Sequence, residues 1–180
     1  AAAQGTAAAA VSASLRGLQN GSDVRGVALA LGASRRPVTL TAGHMREIVA
    51  AFVRFARRRL DRSAVNNSAD TPPLRLAIGR DSRLSGPELA HAAAIGALSE
   101  GAEVTDFGLA TTPAMFMATV LDGYQYDCAI MLTASHLPPE RNGAKFFTKY
   151  GSTDKKEVRA ILDDAAAAVE ARDGVFLSED

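Results

Sequence analysis

The sequence predicts an α/β fold, a three-layer α/β/α sandwich around a mixed, mostly parallel sheet. Three observations predict it. Short apolar runs, Leu74-Arg75-Leu76-Ala77-Ile78-Gly79 and Cys128-Ala129-Ile130-Met131-Leu132, have the length and composition of buried strands. Longer segments between such runs repeat apolar residues at helical spacing. Helices and strands alternate at the separation that a parallel crossover needs, with one antiparallel strand expected to close the sheet. At 180 residues and 47% apolar, the chain suffices for one core and is too short for several.

Residues 1–19 are expected to form a disordered Ala-rich leader. Positions 1–14 are nearly all Ala, Ser, Gly and Thr without an acid, which also fits the remnant of an organelle transit peptide. The folded domain is expected over 20–172. Residues 23–30 offer a short strand with a polar head, and 32–37 a turn-rich break. From about Ala42, Val49, Phe52, Val53, Ala56 and Leu60 recur on one helical face, and Arg54, Arg57, Arg58, Arg59 and Arg62 gather towards the helix end. Residues 66–73 read as an exposed connection.

The strand over 74–79 runs into Arg80-Asp81-Ser82-Arg83, and Ser85-Gly86-Pro87-Glu88 has the form of a capping box. The helix that follows runs to Glu100, with Gly101 as its left-handed stop. A strand over 103–107 comes next, then a helix opened by Thr112-Pro113, with threonine as N-cap and proline at the first position. Residues 127–133 form the strand before the most informative loop. Asn142-Gly143 reads as a turn into a short return strand at 144–148, and the last helix covers about 153–171. Residues 173–180 are expected as a linker towards a second domain.

That informative loop is Thr133-Ala134-Ser135-His136-Leu137-Pro138, closed by Asn142-Gly143-Ala144-Lys145. Pro138-Pro139 forbids continuation of the strand, so Ser135 falls on a loop at a strand end, the edge where α/β sheets bind ligands. A small hydroxyl beside an imidazole, followed by an ammonium, is the composition of a group-transfer site. A phosphorylated Ser135 would carry about −1.5 to −2 charge and need donors around it, for which Lys145, Arg25 and His136 are the candidates. The bland alternative is a loop serine bonded to its own backbone. A serine-hydrolase reading fails on two counts: neighbours in an extended loop point to opposite sides, and the Gly-x-Ser-x-Gly elbow is missing.

Other candidates are weaker. Asp81, flanked by arginines at a strand-to-helix turn, reads as a structural ion-pair knot more than as a site residue. His44 and His91 lack metal-ligand spacing, Gly79 and Gly86 are not followed by the Lys-Ser/Thr of a phosphate loop, and Cys128 belongs to the core. With one cysteine, an intramolecular disulfide and a Cys-based zinc site are excluded. Twenty basic against twenty acidic side chains leave no field that favours nucleic acid or an anionic membrane, and no window reaches the roughly 20 apolar residues of a membrane span. The expectation is a soluble intracellular protein, in the cytoplasm or, from the Ala-rich leader, the plastid stroma.

Four motifs in order resemble the α-D-phosphohexomutases, the phosphoglucomutase/phosphomannomutase superfamily. They are Asp23-Val24-Arg25-Gly26, Gly79-Arg80-Asp81-Ser82-Arg83-Leu84-Ser85-Gly86, Thr112-Pro113, and the Ser135 loop with Asn142-Gly143-Ala144-Lys145. The resemblance spans about 20–170 and implies the N-terminal domain of a four-domain enzyme. It implies that phosphorylated Ser135 gives its phosphate to a hexose 1- or 6-phosphate, and that the bisphosphate reorients and returns the other phosphate. Ser135 would be carrier and one ligand of Mg²⁺, with the remaining ligands from C-terminal domains outside this sequence. Arg25 and Lys145 would stabilise charge and assist proton transfer, His136 would support loop and substrate, and a hexose bisphosphate would prime the enzyme. Leu137 stands where the family usually has Asn, which puts a loop bond in question. No Asp-Gly-Asp-Gly-Asp run and no sugar-selecting loop occur in the chain. The isolated chain is therefore expected to be inactive, and a non-catalytic phosphoserine-bearing module is the alternative reading.

Overall fold

The computed structural model describes residues 2–31, 36–60 and 72–172, with side chains from residue 9. The elements run α1 (Ala2–Gly17), β1 (Gln19–Asn20), β2 (Asp23–Val27), α2 (Ala42–Arg59), β3 (Arg75–Arg80), α3 (Gly86–Ser99), β4 (Glu103–Leu109), α4 (Thr112–Met117), β5 (Cys128–Leu132), β6 (Arg141–Thr148), β7 (Gly151–Ser152) and α5 (Lys155–Ala171). Arg62, most of the expected connection at 66–73, part of the expected turn at 32–37, and the expected linker at 173–180 lie outside the described residues.

One sheet orders the strands β1-β2-β6-β5-β3-β4, with β7 paired to β6. β3 is parallel to β4 and β5, while β6 is antiparallel to both β5 and β2, so β2 runs with the parallel group. The mixed α/β/α sandwich stands. The antiparallel strand expected to close the sheet, β6, lies instead inside it between β2 and β5, and the two-residue strands β1 and β7 also pair antiparallel with their neighbours. Helices α1, α2, α3 and α5 cover one face around Phe52, Ile130, Phe146 and Ile161. On the other face, Met115 and Ala118 of the α4 region meet Ala77, Ala129, Met131 and Phe147. Gly96 lets α3 settle against the backbone of Arg46 in α2, a spot that any Cβ would occupy.

Four sequence expectations are corrected. The disordered leader is instead α1, whose Leu15 is fully buried and which packs on α5. Alanine is the best helix former, and Val11, Leu15 and Leu18 sit at i, i+4 and i+7, so a short apolar stripe suffices to dock it. Arg16 ties the pair by donating to Asp163 at 2.9 Å.

Asn142-Gly143 is not a turn. Both residues lie in β6, where Gly143 pairs with Arg25. Glycine is required because a Cβ there would overlap the Val24 carbonyl. Ser85 does not cap α3; its backbone is helical and its buried hydroxyl accepts from Asn142 Nδ2 at 2.9 Å. Leaving the Asn142 amide unpaired in the core would cost more than an open helix N-terminus near solvent. At α4 the cap falls one residue early: Thr111 accepts from Ala114 N, and Thr112 is already helical.

Candidate functional site

The site forms where the C-terminal ends of β3 and β5 meet the start of β6. In a strand, alternate residues share a face, and Val24, Ala144 and Phe146 belong to the α2 side core. Asp23, Arg25 and Lys145 therefore lie on the opposite face. Register places Arg25 against Gly143, one pair along from Val24 against Ala144. Lys145 Nζ donates to Asp23 Oδ2 at 2.6 Å, and Arg25 Nη2 donates to the same oxygen at 2.8 Å. Arg25 Nη1 also donates to the carbonyl of Thr133, the residue that leads into the serine loop. Burial pulls the Arg25 guanidinium below its ordinary value, opposed by Asp23. A guanidinium starts so high that it stays charged. One carboxylate thus holds two cations together beside the loop, with net positive charge left over.

Ser135 is exposed and has φ 56°, the left-handed region that side chains other than glycine rarely enter and that costs about 1 kcal/mol. Its amide donates to Thr133 Oγ1 at 2.9 Å, and Thr133 Oγ1 donates to Asp81 Oδ2 at 2.7 Å. Leu137 N bonds back to Ala134 O at 3.0 Å, closing the loop on itself. The left-handed turn also changes the expected relation of Ser135 to His136. The two side chains do not diverge as in an extended loop: Ser135 Oγ and His136 Nδ1 lie 3.4 Å apart, the outer limit of a hydrogen bond. Among the described residues no carboxylate bonds to the His136 ring, so a hydrolase-type triad is not assembled.

The structure thus brings Arg25 and Lys145 together through Asp23, joins Arg25 to the serine loop, and sets His136 beside Ser135. It also adds residues that the sequence reading did not assign. Asp23 organises both cations. Its signal was the alternation of Asp23 and Arg25 in one strand, which forces them onto one face. Arg83 reaches the loop from the turn after β3 and donates to the carbonyls of Ser135, Leu137, Pro138 and Arg141. Asp81, expected as an ion-pair knot, is one: it accepts from Arg83 Nε at 3.2 Å. Arg141 lies on the Lys145 face of β6, and its buried Nε has no hydrogen-bond partner. Asp23, Lys145, Thr112, Phe147 and Ser152 line a cleft of about 220 Å³, so the Thr112-Pro113 motif reaches this face too. Leu137 engages through its backbone, its carbonyl bonded to Arg83 and its amide to Ala134; neither bond needs an Asn side chain.

His44 does structural work. Its Nδ1 accepts from Thr41 N at 3.3 Å in the capping box of α2, which leaves Nε2 to donate to Ser14 Oγ at 2.8 Å. Burial holds this imidazole below its usual value. Among the described residues no group of three or more His, Cys, Asp or Glu side chains could hold a metal ion, and one serine oxygen does not make a metal site. No described helix is long and apolar enough to cross a membrane.

The geometry defines a class of protein: an α/β/α domain that presents a loop hydroxyl at the strand ends with paired cations behind it. A family model described as phosphoglucomutase/phosphomannomutase, alpha/beta/alpha domain I, matches residues 18–173, and the chain belongs to that family. It is 41% identical over 103 residues to a phosphoglucomutase/phosphomannomutase of Thermococcus kodakarensis, covering 57% of this chain and 20% of that protein. It is 47% identical over 89 residues to a phosphoglucosamine mutase of Thermoanaerobacter sp., covering 49% and 20%. Among solved structures, it resembles a phosphoglucomutase/phosphomannomutase family protein from Burkholderia thailandensis, with a TM-score of 0.66 at 28% identity, over 85% of this chain and 30% of that one. The chain thus spans about a fifth of the length of these curated relatives.

Proposed function

We propose that Ser135 is the phosphoryl carrier of a hexose-phosphate mutase, of which this chain forms the first domain. The observation that carries the reading is the exposed, left-handed Ser135 on a strand-end loop whose Thr133 carbonyl is bonded to Arg25, itself coupled through Asp23 to Lys145. The phosphate of Ser135 passes to a free hydroxyl of a hexose phosphate, and the bisphosphate turns and returns its other phosphate to Ser135 Oγ. Arg25 and Lys145 neutralise the charge on the transferred group and assist the proton, and His136 supports loop and substrate; phosphoryl transfer depends mainly on positioning and charge.

Relatives are named as phosphoglucomutases, phosphomannomutases and phosphoglucosamine mutases, so the substrate class is a glucose, mannose or glucosamine phosphate. Mg²⁺ would take one oxygen from phosphorylated Ser135 and its other ligands from outside this chain, since the described residues form no cation cage. The alternative, a non-catalytic phosphoserine-bearing module, draws on Leu137 and on the domains that lie outside this sequence; the backbone bond of Leu137 to Arg83 does not depend on an Asn side chain.

The test is a coupled assay on the longer parent protein with a hexose bisphosphate primer and the 1-phosphates of glucose, mannose and glucosamine. Turnover with at least one supports the proposal; no turnover with any of them refutes it.

A further inference from the structure

We propose that Arg83 is a positioning residue that grips the backbone of the serine loop and sets the pose in which Ser135 is presented. The inference rests on the phosphoryl-carrier reading.

A guanidinium has five N–H donors, and here all five are committed. Nη1 donates to Pro138 O at 2.7 Å and to Arg141 O at 2.9 Å; Nη2 donates to Leu137 O at 2.8 Å and to Ser135 O at 2.9 Å. Nε donates to Asp81 Oδ2 at 3.2 Å. Arg83 therefore has no donor left for a phosphate, unlike a ligand of the substrate.

Asp81 completes the grip. Its Oδ1 accepts from Arg83 N at 3.1 Å, and its Oδ2 accepts from Thr133 Oγ1 at 2.7 Å. Thr133 Oγ1 in turn accepts the amide of Ser135. The nucleophile's residue is thus tied on both sides, its amide through Thr133 to Asp81 and its carbonyl to Arg83. A non-glycine residue stays at φ 56° only where the surroundings over-determine it, and this double tie supplies that. The Asp81–Arg83 pair comes from the end of β3 and the loop from the end of β5, so adjacent parallel strands transmit their fixed spacing to Ser135. Lysine cannot replace the fork, because its three donors radiate from one point and cannot serve the four carbonyls of Ser135, Leu137, Pro138 and Arg141 together.

The test has two arms. In this chain, amide hydrogen exchange is compared between the wild type and Arg83→Lys. Ser135, Leu137 and Arg141 amides are expected to exchange at least about 10-fold faster, while Ala77 and Ile130 in β3 and β5 keep their rates. Unchanged loop exchange overturns the proposal, and so does a uniform increase across the sheet, which marks general destabilisation. In the longer parent protein, Arg83→Lys should lower kcat about 10- to 100-fold with KM within about 2-fold, because misplacing a reacting group by ~1 Å costs on that order. A raised KM at normal kcat would make Arg83 a substrate ligand and overturn the proposal. Wild-type protein without turnover strikes the mutase reading instead, and leaves the exchange result to decide the grip.

Discussion

Gly143→Ala tests the packing that assembles the site. A Cβ on Gly143 would overlap Val24 O and would lie 2.9 Å from Arg25 Cδ and 3.0 Å from the Val24 carbonyl carbon. Carbon–carbon contacts settle at about 3.5–4.0 Å, so β2 and β6 must part by about 1 Å. Ladder hydrogen bonds near 2.9 Å would then stretch to about 3.9 Å, outside bonding range. Overpacking costs about 1–3 kcal/mol, and each lost bond adds about 1 kcal/mol. With two bonds broken the total is about 3–5 kcal/mol, a fall in Tm of roughly 6–20 °C for a chain of this size. Thermal unfolding of this chain followed by circular dichroism reads it, with Gly17→Ala as control, since nothing lies within 4 Å of a Cβ there. The control should change stability by no more than about 1 kcal/mol. If Gly143→Ala melts within about 2 °C of the wild type, the close approach of β2 to β6 is not what the glycine serves.

Ser135→Gly should keep or raise the Tm of this chain by a few degrees, since glycine enters the left-handed region without the ~1 kcal/mol penalty; a clear fall in Tm would contradict the strain at that position. Lys145→Ala in the parent should slow phosphoryl transfer at least about 10-fold while costing about 1 kcal/mol or less in stability, because its ion pair with Asp23 is partly exposed; unchanged turnover would remove Lys145 from the site. His44 has a folded pKa below its unfolded value of about 6.5, because burial disfavours the charged imidazole. Its stabilising contribution is complete above pH 6.5 and is lost as pH falls towards the folded pKa, because the unfolded chain binds the proton more readily. His44→Gln, which can still accept from Thr41 N, should flatten the stability curve between pH 7 and 5; an unchanged slope would contradict this assignment.

The sheet and α2 were legible because buried strands such as 128–132 and the Val49, Phe52, Val53, Ala56 stripe carry their period in composition. The candidate site was legible in part. Ser135, His136, Arg25 and Lys145 stand out in the motifs; Asp23 and Arg83 stand in the same motifs, but what they do depends on tertiary bonds that link β2 to β6 and the β3 turn to the β5 loop. Local rules misled where long-range packing decides. Asn142-Gly143 has turn chemistry yet lies in a central strand, because Asn142 satisfies Ser85 and Gly143 admits Val24. Residues 1–19 have the composition of a leader, yet α1 docks on α5 through Leu15 and Arg16.

Ser135, as the proposed carrier, should hold the phosphate. Incubating the parent protein with a hexose bisphosphate, then measuring intact mass and mapping phosphopeptides, tests it most directly. A single phosphate is expected on Ser135, absent in Ser135→Ala along with turnover. Phosphate on another residue, or full turnover by Ser135→Ala, would contradict it.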